Sequence, residues 1–227
     1  MKILNLLTLF SLPCVLSLSQ PGNVTFTSFK KRNLRDGIIT FYNILENACQ
    51  YNQELYQDYL KVAISGEEWN NGEKCGSCIQ ITGKGNGIGT TPFYGTHKGI
   101  ITNICPECPG GHFDLLMEGD GIWDIDYEFV PCINIGIELP PVQYRVDTNN
   151  DFYLRLQIIN TESEIENVML ENAVFMEKTF DNFWVYYNPS DIDNQSIFYF
   201  PLFIEVKLKD GTIHTGTIEN NENYTNL

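Results

Sequence analysis

The side chains best suited to chemistry lie in one stretch, residues 101–116, which reads ITNICPECPGGHFDLL. Pro106 and Pro109 stiffen a Cys-x-x-Cys loop, Gly110 and Gly111 turn the backbone, and His112, Phe113 and Asp114 follow directly before Leu115 and Leu116. A carboxyl group placed where a polar turn re-enters an apolar interior loses part of its hydration, which raises its pKa and suits it to act as a general acid. The same position suits an aspartate that only accepts backbone N–H bonds within the turn, and both readings of Asp114 stand at this point. His112 is open in the same way: it orients Asp114 or it faces solvent. His97 and His214 complete the histidine count, so no metal site is expected.

The loop before Asp114 carries one of two Cys-x-x-Cys pairs, Cys75 with Cys78 and Cys105 with Cys108. In a cytosolic chain two such pairs would signal a zinc ribbon. The N-terminus argues otherwise: Met1 and Lys2 precede an apolar run from Ile3 to Leu18, broken by small polar residues and Pro13, which reads as a secretory signal over residues 1–19. The run is too short and interrupted for a membrane span, and the polar C-terminus offers no tail for a lipid anchor. With Cys14 in the signal, Cys49, Cys75, Cys78, Cys105, Cys108 and Cys132 remain, an even number in an oxidising compartment, read as three structural disulfides. A redox dithiol is disfavoured because its Cys-x-x-Cys normally opens a helix, whereas Pro and Gly surround Cys105 and Cys108.

The formal charge of −15 excludes a nucleic-acid role, which needs clustered Lys and Arg, and repels anionic polymers and membranes. A neutral partner fits better. Asn23, Asn194 and Asn223 each open an Asn-x-Ser/Thr sequon for N-glycosylation.

The elements that must position Asp114 read as all-β. After a polar lead-in over residues 20–36, GIITFY at 37–42 is a first strand, and short apolar runs separated by Gly-rich turns continue to Cys132, most simply as a small closed barrel. All the cysteines of the mature chain fall before Pro140, so the barrel domain is placed at 37–139 and a stiff linker at 140–143. Residues 144–227 carry longer alternating strands, among them FYLRLQIIN, where Phe152, Leu154, Leu156 and Ile158 share a core face and Tyr153, Arg155 and Gln157 an exposed one. Asp210-Gly211 is a hairpin turn, and the whole reads as an antiparallel β-sandwich.

GIITFY (37–42), Ala48-Cys49-x-Tyr51, VAIS with W-N-N-G-x-x-CGSC (62–78), ITNICPEC (101–108) and GHFDL (111–115) together resemble the first domain of expansins, most closely the microbial and amoebal expansin-like proteins. The second part resembles the expansin carbohydrate-binding module more weakly. The resemblance implies a six-stranded double-psi β-barrel followed by an immunoglobulin-like β-sandwich, with a polysaccharide-binding surface across both. It places the family's functional aspartate on Asp114 and its first-strand threonine on Thr40, and implies disulfides Cys49–Cys75, Cys78–Cys132 and Cys105–Cys108. Asn103 stands where some relatives have an aspartate. Phe152 and Tyr153 stand where the family has paired tryptophans, Tyr153 being the better candidate because Phe152 is in phase with the core. A third aromatic comes from Phe180, Phe183 or Trp184. In the barrel, Tyr42 and Trp69 are candidates to stack on sugar rings. Core packing is the other reading of Tyr42, while the polar loop around Trp69 favours exposure.

The expectation is therefore a secreted, monomeric, expansin-like protein without cofactor or metal that binds cellulose or a related neutral wall glucan, not nucleic acid or membrane, and loosens it without hydrolysis. Glycoside hydrolysis uses two carboxyl groups. A hydrolase family on the same barrel sets its second aspartate just after the first strand, where this chain reads Asn43, Ile44, Leu45. Glu46, Glu67, Glu68, Asp120 and Asp124 read as solvated loop charges. Two alternatives remain, a lytic transglycosylase or glycosidase using Asp114 as general acid, and a structural matrix protein that only binds carbohydrate.

Overall fold

The computed structural model describes residues 34–52, 55–150, 153–187, 200–220 and 224–227. The signal at 1–19, most of the lead-in, Phe152 and the sequons at Asn23, Asn194 and Asn223 lie outside the described residues.

Six strands close into a barrel: β1 (Arg35–Tyr42), β2 (Leu60–Ser65), β3 (Cys78–Ile88), β4 (Tyr94–Cys105), β5 (His112–Leu116) and β6 (Ile122–Phe129). Their order around the barrel is β1-β5-β2-β4-β3-β6, with β1 parallel to β5, β2 parallel to β4 and the other neighbours antiparallel. This arrangement fits a double-psi barrel. Alternation builds it: in β6, Trp123, Ile125 and Tyr127 point inward while Asp124 faces solvent. β1 begins two residues ahead of GIITFY, because Arg35 and Asp36 already pair with Tyr127 and Asp126 of β6.

Nine further strands form the second part: β7 (Gln143–Asn150), β8 (Tyr153–Ile159), β9 (Ile165–Leu170), β10 (Val174–Phe175), β11 (Glu177–Lys178), β12 (Trp184–Tyr187), β13 (Leu202–Leu208), β14 (Ile213–Ile218) and β15 (Thr225–Asn226), counted among the described residues. They make two antiparallel sheets, β10-β9-β13-β14 and β11-β12-β8-β7-β15. Leu154 and Leu156 from one sheet meet Val168, Ile204 and Val206 from the other in one core, as a sandwich requires. The turn at Asp210-Gly211 is present, Asp210 Oδ1 accepting from Thr212 N at 2.9 Å and Gly211 adopting φ +92°.

The second face of β8 departs from expectation. Gln157 is fully buried rather than exposed, because the barrel packs there: its amide donates to Cys49 O at 2.7 Å, and Arg145 beside it reaches Gln50 O at 3.2 Å. Residues 47–52 thus join barrel to sandwich. The disulfide between Cys49 and Cys75 staples that segment, and Cys78–Cys132 and Cys105–Cys108 complete the pairing.

Trp69 corrects another expectation, for it is 0% exposed. Ser65 caps the single-turn helix α1 (Gly66–Trp69) by accepting from Glu68 N, and this turn aims the indole inward. Trp69 Nε1 donates to Phe180 O at 3.3 Å, so the ring sits in the seam between barrel and sandwich. Asn70, Asn71 and Gly72, all at positive φ, then reverse the chain. A Cβ at Gly72 would stand 2.8 Å from the Phe180 carbonyl oxygen, so the polar loop closes over the indole only with glycine there.

Candidate functional site

Asp114 and Thr40 are brought together by strand register. In the parallel β1–β5 pair Thr40 lies opposite Asp114, and on the other side Ala63 of β2 lies opposite it. The Thr40 hydroxyl donates to Asp114 Oδ1, and His112 Nε2 lies 2.7 Å from the same hydroxyl oxygen. A hydroxyl has one proton. If Thr40 gives it to the Asp114 carboxylate, His112 must donate through Nε2–H, and the three groups form a directed chain from imidazole to hydroxyl to carboxylate.

Burial raises the Asp114 pKa above its usual value, the His112 charge opposes that rise, and Glu107 adds to it. The desolvation has an identifiable source: Ala63, Cys105 and Cys108 form a small buried cluster with half-buried Tyr42 against it, and Cys108 Sγ lies 4.0 Å from Asp114 Oδ2. Donor atoms of Cys105, Cys108 and Asp114 fall within 4.8 Å of one another. As a disulfide, however, the two sulfurs offer no thiolate to a metal.

Tyr42 shares this face. Burial pushes its phenol pKa up, Asn103 pulls it the other way, and the Asp114 charge contributes to the rise. Tyr42 is therefore neither wholly core nor free surface. Asn103 has a backbone task, its Oδ1 accepting from Ala48 N at 2.8 Å and its Nδ2 donating to Glu46 O at 3.3 Å. It anchors the segment that continues into the seam at Cys49.

The acidic residues sort by position. Glu46, Glu67 and Asp124 are exposed. Asp120 holds the Thr90–Thr91 turn through the backbone N–H of both residues and the Thr90 hydroxyl. Glu68 is not a free loop charge, since it accepts from Tyr127 OH at 3.1 Å and Ser65 Oγ at 3.2 Å and reaches Gly111 N at 3.4 Å, tying the loop that presents His112. Sequence reasoning missed Glu107, whose charge bears on Asp114. Its place inside the Cys105–Cys108 loop, directly before the strand that carries Asp114, was the available signal.

On the sandwich, Tyr153 lies opposite Tyr187 in the β8–β12 pair, with ring centroids 4.9 Å apart. Tyr187 is 61% exposed and Tyr153 half-buried. Trp184, a candidate platform, is 4% exposed: it lies opposite Leu156 and so shares the inward phase of β8. Phe183 is buried beneath Arg155, whose guanidinium carbon is 3.7 Å from the ring centroid. Phe180 is exposed but belongs to the Trp69 contact. The exposed aromatic that the structure sets beside Tyr153 is Tyr187. It went unrecognised because the pairing that sets it against Tyr153 spans more than thirty residues of chain. Arg155, bound to Asp147 at 3.2 Å and Asp181 at 2.7 Å, fixes the face between this pair and the buried Gln157 end.

No protein-family model matches the sequence, and no curated protein is detectably similar to it. Among solved structures, the apo expansin of Clavibacter michiganensis superposes with a TM-score of 0.67 at 20% identity, covering 86% of this chain and 96% of that one. An aspartate-to-asparagine mutant of the same expansin, in complex with cellohexaose, gives 0.68 at 21% identity with the same coverage. The barrel-plus-sandwich fold of this chain is thus the expansin fold.

Proposed function

We propose that this is a secreted expansin-like protein that binds cellulose or a related neutral wall glucan along Tyr42, Thr40 and Asp114 on the barrel and Tyr153 and Tyr187 on the sandwich, and loosens the wall without hydrolysis. The observation that carries the reading is the Thr40–Asp114 pair, a hydroxyl and a desolvated carboxyl presented together by two parallel strands beside an aromatic edge. Such groups compete for the hydroxyls that hold one glucan chain to its neighbour. Residues 47–52 supply the link to the aromatic pair, and the cellohexaose bound by the bacterial protein of the same fold supports the substrate class.

Each tyrosine ring laid on a glucose face contributes about 1 kcal/mol, so binding depends on several acting together. Creep of heat-killed cellulose-rich wall strips under constant load, measured with the parent and Asp114→Asn while released sugars are assayed, tests the proposal. Extension by the parent alone without sugar release is the expected result. Glu107 gives a specific ground for a second reading, glycan cleavage with Asp114 as general acid. Sugar release by the parent that Asp114→Asn abolishes and Glu107→Gln reduces would establish that reading instead.

A further inference from the structure

A cavity of about 790 Å3 opens at the seam between barrel and sandwich, lined by none of Thr40, Tyr42, Asp114, Tyr153 or Tyr187. Its volume lies within the roughly 300–1,000 Å3 typical of small-molecule pockets, and domain seams are where such pockets concentrate. Phe129, Val130 and Ile133 from the barrel and Ile165 from the sandwich give it an apolar wall.

The charges around the cavity are distributed unevenly. Glu73, Lys74, Glu164 and Lys209 neutralise one another as a quartet of residues joined by three ion pairs. Lys178 also lines the cavity, and its ammonium makes no hydrogen bond or ion pair among the described residues, standing 5.5 Å from the Trp184 ring centroid. With Lys178 the cluster of two carboxylates and three ammoniums carries one net positive charge, in a chain of net charge −15. The other acidic lining residues, Glu138, Glu162 and Asp210, are exposed and screened by water, Glu162 being paired with His214 and Asp210 bound to Thr212 N. Burial lowers the Lys178 pKa to about 8, with Glu73 and Glu164 pulling the other way. An anion docked on this ammonium would relieve that cost.

We propose that the seam cavity is a second ligand site, separate from the glucan surface, for a small amphipathic monocarboxylate whose head group pairs with Lys178 and whose apolar body lies along Phe129, Val130 and Ile165. The ligand would touch barrel and sandwich together and fasten the seam.

Titration calorimetry at pH 7 with octanoate, octan-1-ol and octylammonium on the full chain tests this. Expected are one octanoate site, at least tenfold weaker binding of the alcohol and the ammonium, and at least tenfold weaker octanoate binding by Lys178→Gln. Ser163→Trp, which fills the cavity, abolishes octanoate binding, and Ile133→Trp at the exposed rim is the alternative block should that variant fail to fold. Tyr153→Ala leaves octanoate binding unchanged. Octanoate binding unaffected by Lys178→Gln, alcohol binding equal to octanoate, or no octanoate binding by the folded parent at millimolar concentration overturns the proposal.

Discussion

Asp114 is held in an environment that costs the fold something at neutral pH. A carboxyl whose folded pKa is raised favours the folded state only while protonated, so its contribution is fully present below the ordinary value of 3.8 and is lost as pH rises through the higher folded value. Asp114→Asn keeps an acceptor for the Thr40 hydroxyl and removes the charge. Thermal melts should therefore show the variant slightly more stable than the parent at pH 7 and level with it near pH 3, while wall creep is lost. A variant less stable than the parent at pH 7 would mean that the carboxylate is chiefly structural. The aromatics separate in the same way. Tyr153→Ala should weaken cellulose binding roughly fivefold, the equivalent of about 1 kcal/mol, and move stability by less than about 0.5 kcal/mol. Trp184→Ala, in the core, should cost about 3–5 kcal/mol of stability, and a sedimentation assay beside a denaturant titration distinguishes the two.

Elements were legible wherever one periodicity ruled. The inward phase of Leu154, Leu156 and Ile158 follows from alternation alone, as does the hairpin at Asp210-Gly211. What alternation cannot supply is which strand lies beside which, and that gap accounts for the errors. Gln157 has the phase of a surface residue until the barrel covers it, Trp69 sits in a polar loop that folds over its own indole, and Tyr187 meets Tyr153 only across a distant strand pair. The turn and short disulfide loop behind Asp114 were legible because they are local, whereas Thr40 and Tyr42 of β1 and Ala63 of β2 reach it only through strand register, and only the family resemblance pointed to Thr40. The disulfides differ in scale in a testable way. Cys105–Cys108 closes a loop of sequence separation 3 and Cys78–Cys132 one of 54. In the chain-entropy model those loops are worth about 2 and about 4 kcal/mol. Replacing the first pair by serines should thus lower stability the less, yet reduce wall creep the more, because that loop packs behind Asp114. Equal losses of creep at equal folded fraction would remove the loop from the site.

Across the whole molecule, the geometry of the proposed glucan surface depends on what fixes the seam between barrel and sandwich. Buried hydrogen bonds from Gln157 and Asn182 to Cys49 O hold one side, and the ion-pair quartet holds the other, with Lys74 bonded to Glu164 and Lys209 2.7 Å from Glu73 across the domains. Burial alone would raise the Glu164 pKa, but hydrogen bonds from Lys74 and Lys209 outweigh it and leave the value below the ordinary 4.5. A depressed carboxyl contributes stability above its unfolded pKa and loses it as pH falls through the folded one. Lys209 bounds the other side: its pKa is raised, chiefly by hydrogen bonds to Glu73 and Glu164, so its contribution is present below the ordinary 10.5 and fades as pH rises through the folded value. The quartet therefore fastens barrel to sandwich across the neutral range and releases at both ends. Glu164→Gln should lower stability by about 1–2 kcal/mol at pH 7, a melting shift of roughly 2–8 °C for a chain of this size, and match the parent once pH has fallen below the depressed Glu164 value. Scattering profiles of the variant at pH 7 should broaden toward those of the parent in acid, and cellulose affinity should fall with them while Asp114 and Tyr153 remain intact. A variant that loses stability but keeps full affinity would show that the barrel and sandwich surfaces bind glucan independently.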